Sequence, residues 1–350
     1  MIITIDKQIT ITGKLSKAVL AEIRKRVVFP NPKYLENAKQ GRYNGKTSKD
    51  LSFLTVNPET KDFLLPSGFM RDFCIILNRA SISYQIQDNR KTNSRVRGDL
   101  FNDTHVDLRD YQIEALDAIM KRDFGTLEAA TAAGKTVIAL AVAIKRQVPF
   151  LVVVHTKELL NQWIDRINTF VGIPKDEIGI IGAGKKTVGE KATVGLVQTL
   201  SKGNNVDLIK DKIGHVFCDE CHLCPSKTFS DVIKSLDCKY MLGLTATPYR
   251  RDKLERIIFL YMGNIVHTVK KENLISKGNI LRPVIFKQQT RFETKLNPKK
   301  DYQQIIKDLV EDYARNEMII KDVKSEMKSI IDSEILLVLS DRVTHCQELC

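Results

Sequence analysis

Asp219-Glu220-Cys221-His222 directly follows a short apolar segment, His215 to Cys218, and stands 84 positions downstream of Gly134-Lys135-Thr136, counted from Lys135 to Asp219. A glycine, a lysine and a hydroxyl residue in that order suit the end of a phosphate-binding loop. There, backbone N–H groups and the ammonium meet the β- and γ-phosphates, and the hydroxyl meets Mg2+. The second group supplies what such a loop lacks. An aspartate at the carboxyl end of a buried strand can hold the Mg2+ shell, and the next carboxylate can orient and polarise an attacking water. The pair implies ATP hydrolysis, with Lys135, Asp219 and Glu220 as catalytic residues and Thr136 with Asp219 as the Mg2+ ligands.

The loop departs from the G-x-x-x-x-G-K-T pattern, because its run is Ala129-Ala130-Thr131-Ala132-Ala133-Gly134-Lys135-Thr136 and a single glycine remains. Glycine-lysine-threonine alone suits an ordinary strand-to-helix turn equally well. The flanks favour the phosphate loop. Gly125 to Ala129 reads as a short strand, and Val137 to Ile144 is apolar almost all round, as in a buried helix. Phosphates would then lie on that helix's amino end, where unpaired amides and the dipole favour anions.

Cys218, Cys221 and Cys224 with His222 imitate both a haem-attachment spacing and a zinc site. Haem attachment needs an exported chain, zinc needs a second ligand pair at a matching distance, and Cys218 falls on a buried strand. The expectation is metal-free, packing cysteine. An odd total of seven, with no export signal, argues against disulfides.

The elements that must position these residues divide the chain into an N-terminal region (1–88), a linker (89–103), a central region (104–278) and a last region (283–350). In the first, Ile2 to Ile11 alternates like a strand, Lys17 to Val27 reads as a helix, and Pro30 to Thr47 is broken by proline, asparagine and glycine. Gln87 to Gly98 is polar and basic, an exposed loop. From Thr104 strands alternate with helical patterns, which implies an α/β fold with a parallel sheet covered by helices on both faces. Ile113, Leu116 and Met120 share one helical face, so Gln112 falls near that helix's start and can project from the sheet edge. In the last region, strands are expected at Val284 to Gln288 and Ile335 to Leu339, with helices between Tyr302 and Ile331. A chain of 350 residues, 43% hydrophobic, should bury two or three cores.

Together with Leu242-Gly243-Leu244-Thr245-Ala246-Thr247-Pro248, the Asp219 group resembles motifs II and III of superfamily 2 DExH helicases. Arg109-Asp110-Tyr111-Gln112 resembles the family's adenine-reading Q element. Val152 to Leu159 (VVVHTKEL) and Val194 to Leu200 (VGLVQTL) resemble its first two nucleic-acid motifs, and Ser340-Asp341-Arg342-Val343 resembles motif IV. The stretches CDECHLCPSKTF and TATPYRRD are similar to the XPB branch. The alanine-rich loop and basic N-terminal segment are similar to phage UvsW-type recombination helicases. The resemblance covers residues 104–350.

It implies a P-loop NTPase: a small α+β N-terminal domain, a RecA-like domain over 104–278, and the beginning of a second RecA-like domain over 283–350. ATP with Mg2+ would close the two lobes and hydrolysis would reopen them. Arg109 and Gln112 would frame the adenine, and Ala129, Ala130, Thr131, Ala132, Ala133, Gly134, Lys135 and Thr136 would hold the phosphates. His222, Thr245 and Thr247 would couple that site to a nucleic-acid track touching Lys157 and Gln198. Taken without the resemblance, the threonines read as turn hydroxyls, His222 as a core histidine and Lys157 as a solvated lysine, while Arg250 and Arg251, in a loop after Pro248, suit solvated charges and functional ones equally. His155 and Trp163 read as packing residues. Motifs V and VI, with the arginine finger, have no counterpart in these 350 residues, so the second domain is expected to be incomplete.

The net charge of +13 is concentrated at the start, where residues 1–50 hold 11 Lys/Arg against 4 Asp/Glu. Lys39, Arg42 and Lys46 lie among Phe29, Tyr34 and Tyr43, a mixture suited to phosphate contact and base stacking. It is also the composition of a solvated face over a small core. The reading is a DNA helicase or translocase acting on branched or forked DNA in recombination, repair or replication. An RNA helicase, or a nucleic-acid-binding module without turnover, stays open beside it. No stretch is long enough for a membrane span, so the expected partner is nucleic acid, the expected state a monomer, and the expected place the cytoplasm, the host's if the chain is phage-encoded.

Overall fold

The computed structural model describes residues 1–92, 100–101, 106–250, 252–276, 278, 284–298, 300–329, 331 and 335–349. Most of the expected linker, together with Arg251 and the start of the last region at Pro283, lies outside them. The chain forms two compact units, Met1–Leu281 and Arg282–Cys350.

The first unit is built on an eight-stranded sheet in the order Lys185–Lys186, Gly179–Gly182, Ala192–Leu196, Phe150–Val154, His215–Cys218, Tyr240–Thr245, Phe124–Ala129, Ile265–Val269. All neighbours are parallel except the edge strand Lys185–Lys186. Segments such as FLVVV and HVFC are buried at every position, as strands covered on both faces must be. The alternation of side chains splits them between two cores. Phe150, Val152 and Val154 pack with the helices Asp110–Met120, Lys135–Arg146 and Lys157–Val171. Leu151 and Val153 join the core of Lys227–Ser235 and Glu255–Met262 on the other face.

A smaller sheet, in the order Thr55–Val56, Phe63–Pro66, Gln8–Thr12, Ile2–Ile5, Gln85–Asp88, packs into that second core. The expected opening strand is a hairpin, Ile2–Ile5 against Gln8–Thr12, in which Asp6 accepts from the Gln8 N–H. Its alternation keeps phase through the turn, so Ile3, Ile5, Ile9 and Ile11 all face inward. The helix Lys17–Val27 forms where its periodicity places it. The segment read as broken contains a further helix, Pro32–Lys39. Asn31 caps it and Pro32 takes the first position, where its missing N–H costs nothing and its fixed φ favours the helix.

The N-terminal sheet is not a separate body. Phe53 meets Tyr261 edge-on at 6.0 Å, Asn264 donates to Asp72 at 3.0 Å, and Gly68 lies so close to Leu260 that a Cβ would stand 2.7 Å from its carbonyl. At the start of the linker Asn89 and Lys91 are exposed, as expected, but one side chain turns inward. The Arg90 guanidinium is nearly buried between Asp88 and Asp123, at 2.7 Å from each, and also donates to the Lys239 carbonyl.

In the second unit, helices Tyr302–Val310, Tyr313–Met327 and Val343–Leu349 form. The two strands expected there do not: 284–288 and 335–339 pair with nothing among the described residues, and Phe286 and Ile335 are exposed. Their apolar, β-branched composition suits a pleated surface, but a strand also needs a neighbour for its backbone, and here the regular elements are all helices.

Candidate nucleotide site

Because the strands run parallel, Phe124–Ala129, Tyr240–Thr245, His215–Cys218 and Phe150–Val154 end on one edge of the sheet, where ligands of open α/β sheets bind. The loop strand and the carboxylate strand are not neighbours. Tyr240–Thr245 lies between them and brings Thr245 to the same edge.

The loop closes with the Ala133 N–H on the Ala130 carbonyl at 3.1 Å, and Ala132 and Gly134 take φ of 68° and 75°. The left-handed residues turn the chain into the helix Lys135–Arg146, and the Lys135 ammonium donates to the Ala129 carbonyl at 3.3 Å. Gln112 does not project from the sheet edge. It is buried, donating to the Ala133 carbonyl at 3.2 Å and accepting from the Arg109 N–H at 3.0 Å. Its amide braces the loop. The expected helix face is also displaced: Tyr111, Gln112, Ala115, Leu116 and Ile119 are buried while Ile113 is exposed, because the opening helix faces both the loop and the sheet. Gly134 is needed for a second reason besides its φ, since a Cβ there would lie 2.5 Å from Gln112 Nε2.

Asp219 is 7% exposed and its carboxylate is held from two sides. Oδ1 accepts from the Glu220 N–H at 3.0 Å, and Oδ2 from the Trp163 indole N–H at 2.8 Å. Glu220 adopts a left-handed conformation (φ 47°, ψ 50°) that opens the turn Cys221–Leu223, and its Oε2 lies 3.1 Å from His222 Nδ1. The carboxylate favours the tautomer with the proton on Nδ1. The same nitrogen is 3.2 Å from Thr245 Oγ1, which also accepts from the Thr247 N–H at 3.2 Å. Thus His222, Thr245, Thr247 and Glu220 form one connected group.

One residue of this network is missed by sequence reasoning: Trp163 does more than pack. Arg250, open between two readings in the sequence, is bonded on both sides: Nη1 donates to the His222 carbonyl at 2.5 Å, while Nε and Nη2 grip Asp252 at 2.8 and 2.6 Å. Asp252 in turn accepts from the Leu254 N–H, just before the helix Glu255–Met262. The Arg250 fork holds the Asp252 carboxyl below its ordinary range. The Arg-x-Asp spacing was the available clue; nothing in the sequence marks the partner of the tryptophan N–H.

Cys218, Cys221, Cys224 and Cys238 are buried and unbridged, and burial pushes the Cys224 and Cys238 thiols up to about 12. Such thiols pack as small apolar groups. Among the described residues no three His, Cys, Asp or Glu side chains converge as a metal site. Mg2+ in a phosphate loop takes most of its ligands from phosphates and water and needs no such cluster.

Lys157 is exposed on the first turn of its helix, beyond the end of Phe150–Val154, and exposed Gln198 donates to the His155 carbonyl at 2.9 Å. Lys39, Arg42 and Lys46 are exposed on the N-terminal part, and Lys39 lines a cavity together with Asp252, Lys253 and Glu255. Their aromatic neighbours do not all share that exposure. Phe29 is buried, stacked on Phe53 at 5.6 Å with Arg256 over its ring, and Tyr34 is half-buried; Tyr43 is 92% exposed. Phe29 is drawn inward because its strand, Val28–Pro30, lies over the second core.

A glycine-lysine-threonine loop and an acidic pair at the carboxyl edge of a parallel sheet, one strand apart, are the arrangement of a RecA-like fold. Residues 105–250 match the family model described as Type III restriction enzyme, res subunit. The chain is 33% identical over 172 residues, 49% of its length, to the DNA 3'-5' translocase XPB2 of Sulfurisphaera tokodaii, and covers 38% of that protein. It is 37% identical over 166 residues, 46% of its length, to a mimivirus protein of Acanthamoeba polyphaga named as an ATP-dependent RNA helicase candidate, and covers 31% of it. Its fold is similar to that of T4 UvsW, with a TM-score of 0.55 and 17% identity over 100% of this chain and 72% of that one. Over this domain the chain's sequence similarities lie with XPB-type translocases and helicases, and its fold is similar to that of UvsW. The chain spans about a third to a half of the length of the curated relatives it matches.

Proposed function

We propose that the chain is the nucleotide-hydrolysing part of a DNA helicase or translocase, one that acts on branched DNA. The observation that carries this is the bridge from Glu220 through His222 to Thr245 at the sheet edge that also holds the loop. Lys135 would meet the β- and γ-phosphates on the amino end of its helix. Arg109 and Gln112 would frame the adenine, with Gln112 also setting the loop's shape. Mg2+, held by Thr136 and Asp219, would supply positive charge to the phosphate oxygens. Asp219 suits that place, because each oxygen accepts one hydrogen bond and keeps a further lone pair. Glu220 would orient the attacking water and take its proton. As that carboxylate changes charge, its contact with His222 changes, and Thr245 and Arg250 are both bonded to His222.

DNA rather than RNA is favoured by the names of XPB2 and by the exposed basic segment; the mimivirus relative's name is what favours RNA. Branch preference rests on Lys39, Arg42, Lys46 and Tyr43, which are exposed on a different part of the sequence from Lys157 and Gln198 and would give a second grip. No helix among the described residues is long and apolar enough to cross a membrane. Competition between sequence-matched DNA and RNA, linear and forked, for binding and for stimulation of ATP turnover tests the proposal. Forked DNA should compete best. Preference for RNA would overturn the substrate, and indifference of turnover to every polymer would overturn the motor.

A further inference from the structure

Trp163 is the chain's single tryptophan. It is 2% exposed on the inner face of the helix Lys157–Val171, among Leu160, Ile164 and Ile167. Any large apolar side chain would fill that space. The indole also places an uncharged donor there, aimed at a buried carboxylate oxygen at 2.8 Å. The other Asp219 oxygen is held by the Glu220 N–H, and the Asp219 N–H itself is tied to the Val153 carbonyl at 3.0 Å. The carboxylate therefore cannot rotate without breaking a bond to one of two separate elements.

We propose that Trp163 is a positioning residue for the Mg2+ site of the bound nucleotide: its N–H fixes the rotation of Asp219, so that the carboxylate would meet the cation's shell already oriented. The inference rests on the nucleotide reading above. The chemistry of the donor supports it. A lysine or arginine would orient the carboxylate but bring a positive charge that competes with the cation, whereas an indole orients it and leaves its charge intact. Partners of this kind behind a ligand typically set metal affinity by about 10- to 100-fold.

The test is binding of the ATP analogue AMP-PNP to the 350-residue chain by calorimetry, at stepped Mg2+ and in EDTA. In Trp163→Phe, which keeps a ring and loses the N–H, the Mg2+ concentration for half-maximal binding should rise about 10- to 100-fold. Affinity in EDTA should not change. Leu160→Ala, which removes packing from the same face, should lower the melting temperature and leave the Mg2+ dependence as it was. A second measurement needs no variant: emission of the single tryptophan should shift when Mg2+ is added to the nucleotide complex, and stay constant when nucleotide is added in EDTA. Parental Mg2+ dependence in folded Trp163→Phe, or emission indifferent to Mg2+, would overturn the positioning role alone. If Trp163→Phe does not fold, the emission decides. Nucleotide binding by the parent with no Mg2+ dependence would overturn the nucleotide reading itself.

Discussion

Glu220 is a non-glycine residue at φ 47°, a conformation that costs about 1–2 kcal/mol, and the structure holds it there by bonds on both sides. The strain sets its carboxylate against His222 rather than along the strand. If that carboxylate is the group that activates water, Glu220→Gln should keep Mg-ATP binding within a factor of a few and slow turnover by about 10²- to 10⁴-fold. Calorimetry and single-turnover hydrolysis check the two halves separately. Hydrolysis at the parental rate would remove Glu220 from the mechanism. Lys135→Ala should show the opposite pattern and lose binding first, since its ammonium is the loop's only cationic group.

At the scale of the element, the strand His215–Cys218 delivers the acidic pair and begins with a buried histidine. The His215 ring lies 3.9 Å from that of Phe217, and neither of its nitrogens has a hydrogen-bond partner among the described residues. Burial, and then the charge of Arg146, hold its pKa well below the ordinary value, so the folded chain keeps it neutral. The unfolded chain takes up a proton near pH 6.5 that the folded one refuses. This contribution is fully present above that pH and is lost as the pH falls, by about 1.4 kcal/mol per pH unit until the folded group titrates. Denaturant unfolding between pH 7.5 and 5 should therefore show a steeper loss for the parent than for His215→Leu. Equal slopes would mean that the ring is protonated when folded.

For the molecule as a whole, the question is how the basic segment relates to the nucleotide core. They share a hydrophobic core and the knot of Asp88, Arg90, Asp123 and Lys239. Hydrogen bonds from Arg90, and then from Lys239, hold the Asp88 carboxyl well below the usual range, so the knot stays charged far into acid. Deleting residues 1–88 would therefore expose apolar surface of the central sheet's helices, and surface neutralisation is the cleaner test. If Lys39, Arg42 and Lys46 each meet a phosphate, replacing all three by glutamine should flatten the log–log salt slope of duplex binding by about 2.7, at 0.9 per contact. Junction binding should weaken more than single-strand binding. An unchanged slope would make the segment a solvated face over Phe29 and its neighbours.

The order of motifs along the chain pointed to the fold and to the proposed class of chemistry, because a glycine-lysine-threonine turn and an acidic pair after buried strands leave few alternatives. Local pattern also placed His215–Cys218 and Lys17–Val27, where continuous burial or a single apolar face is written in consecutive residues. It misread Pro32 as a breaker because proline ends one helix and starts another. Contacts between residues far apart in the chain were decided by the tertiary structure alone. Strand order puts Tyr240–Thr245 between the loop and the carboxylates, and thereby lets one imidazole touch both Glu220 and Thr245. Trp163 and Asp219 are 56 residues apart, and nothing in either neighbourhood announces the bond between them. Phe29 and Tyr43 look alike in a basic segment, yet one is core and the other surface, because burial depends on what packs above a residue. The apolar runs at 284–288 and 335–339 show the same limit: composition specifies what a strand is made of, and only a neighbouring backbone makes it one.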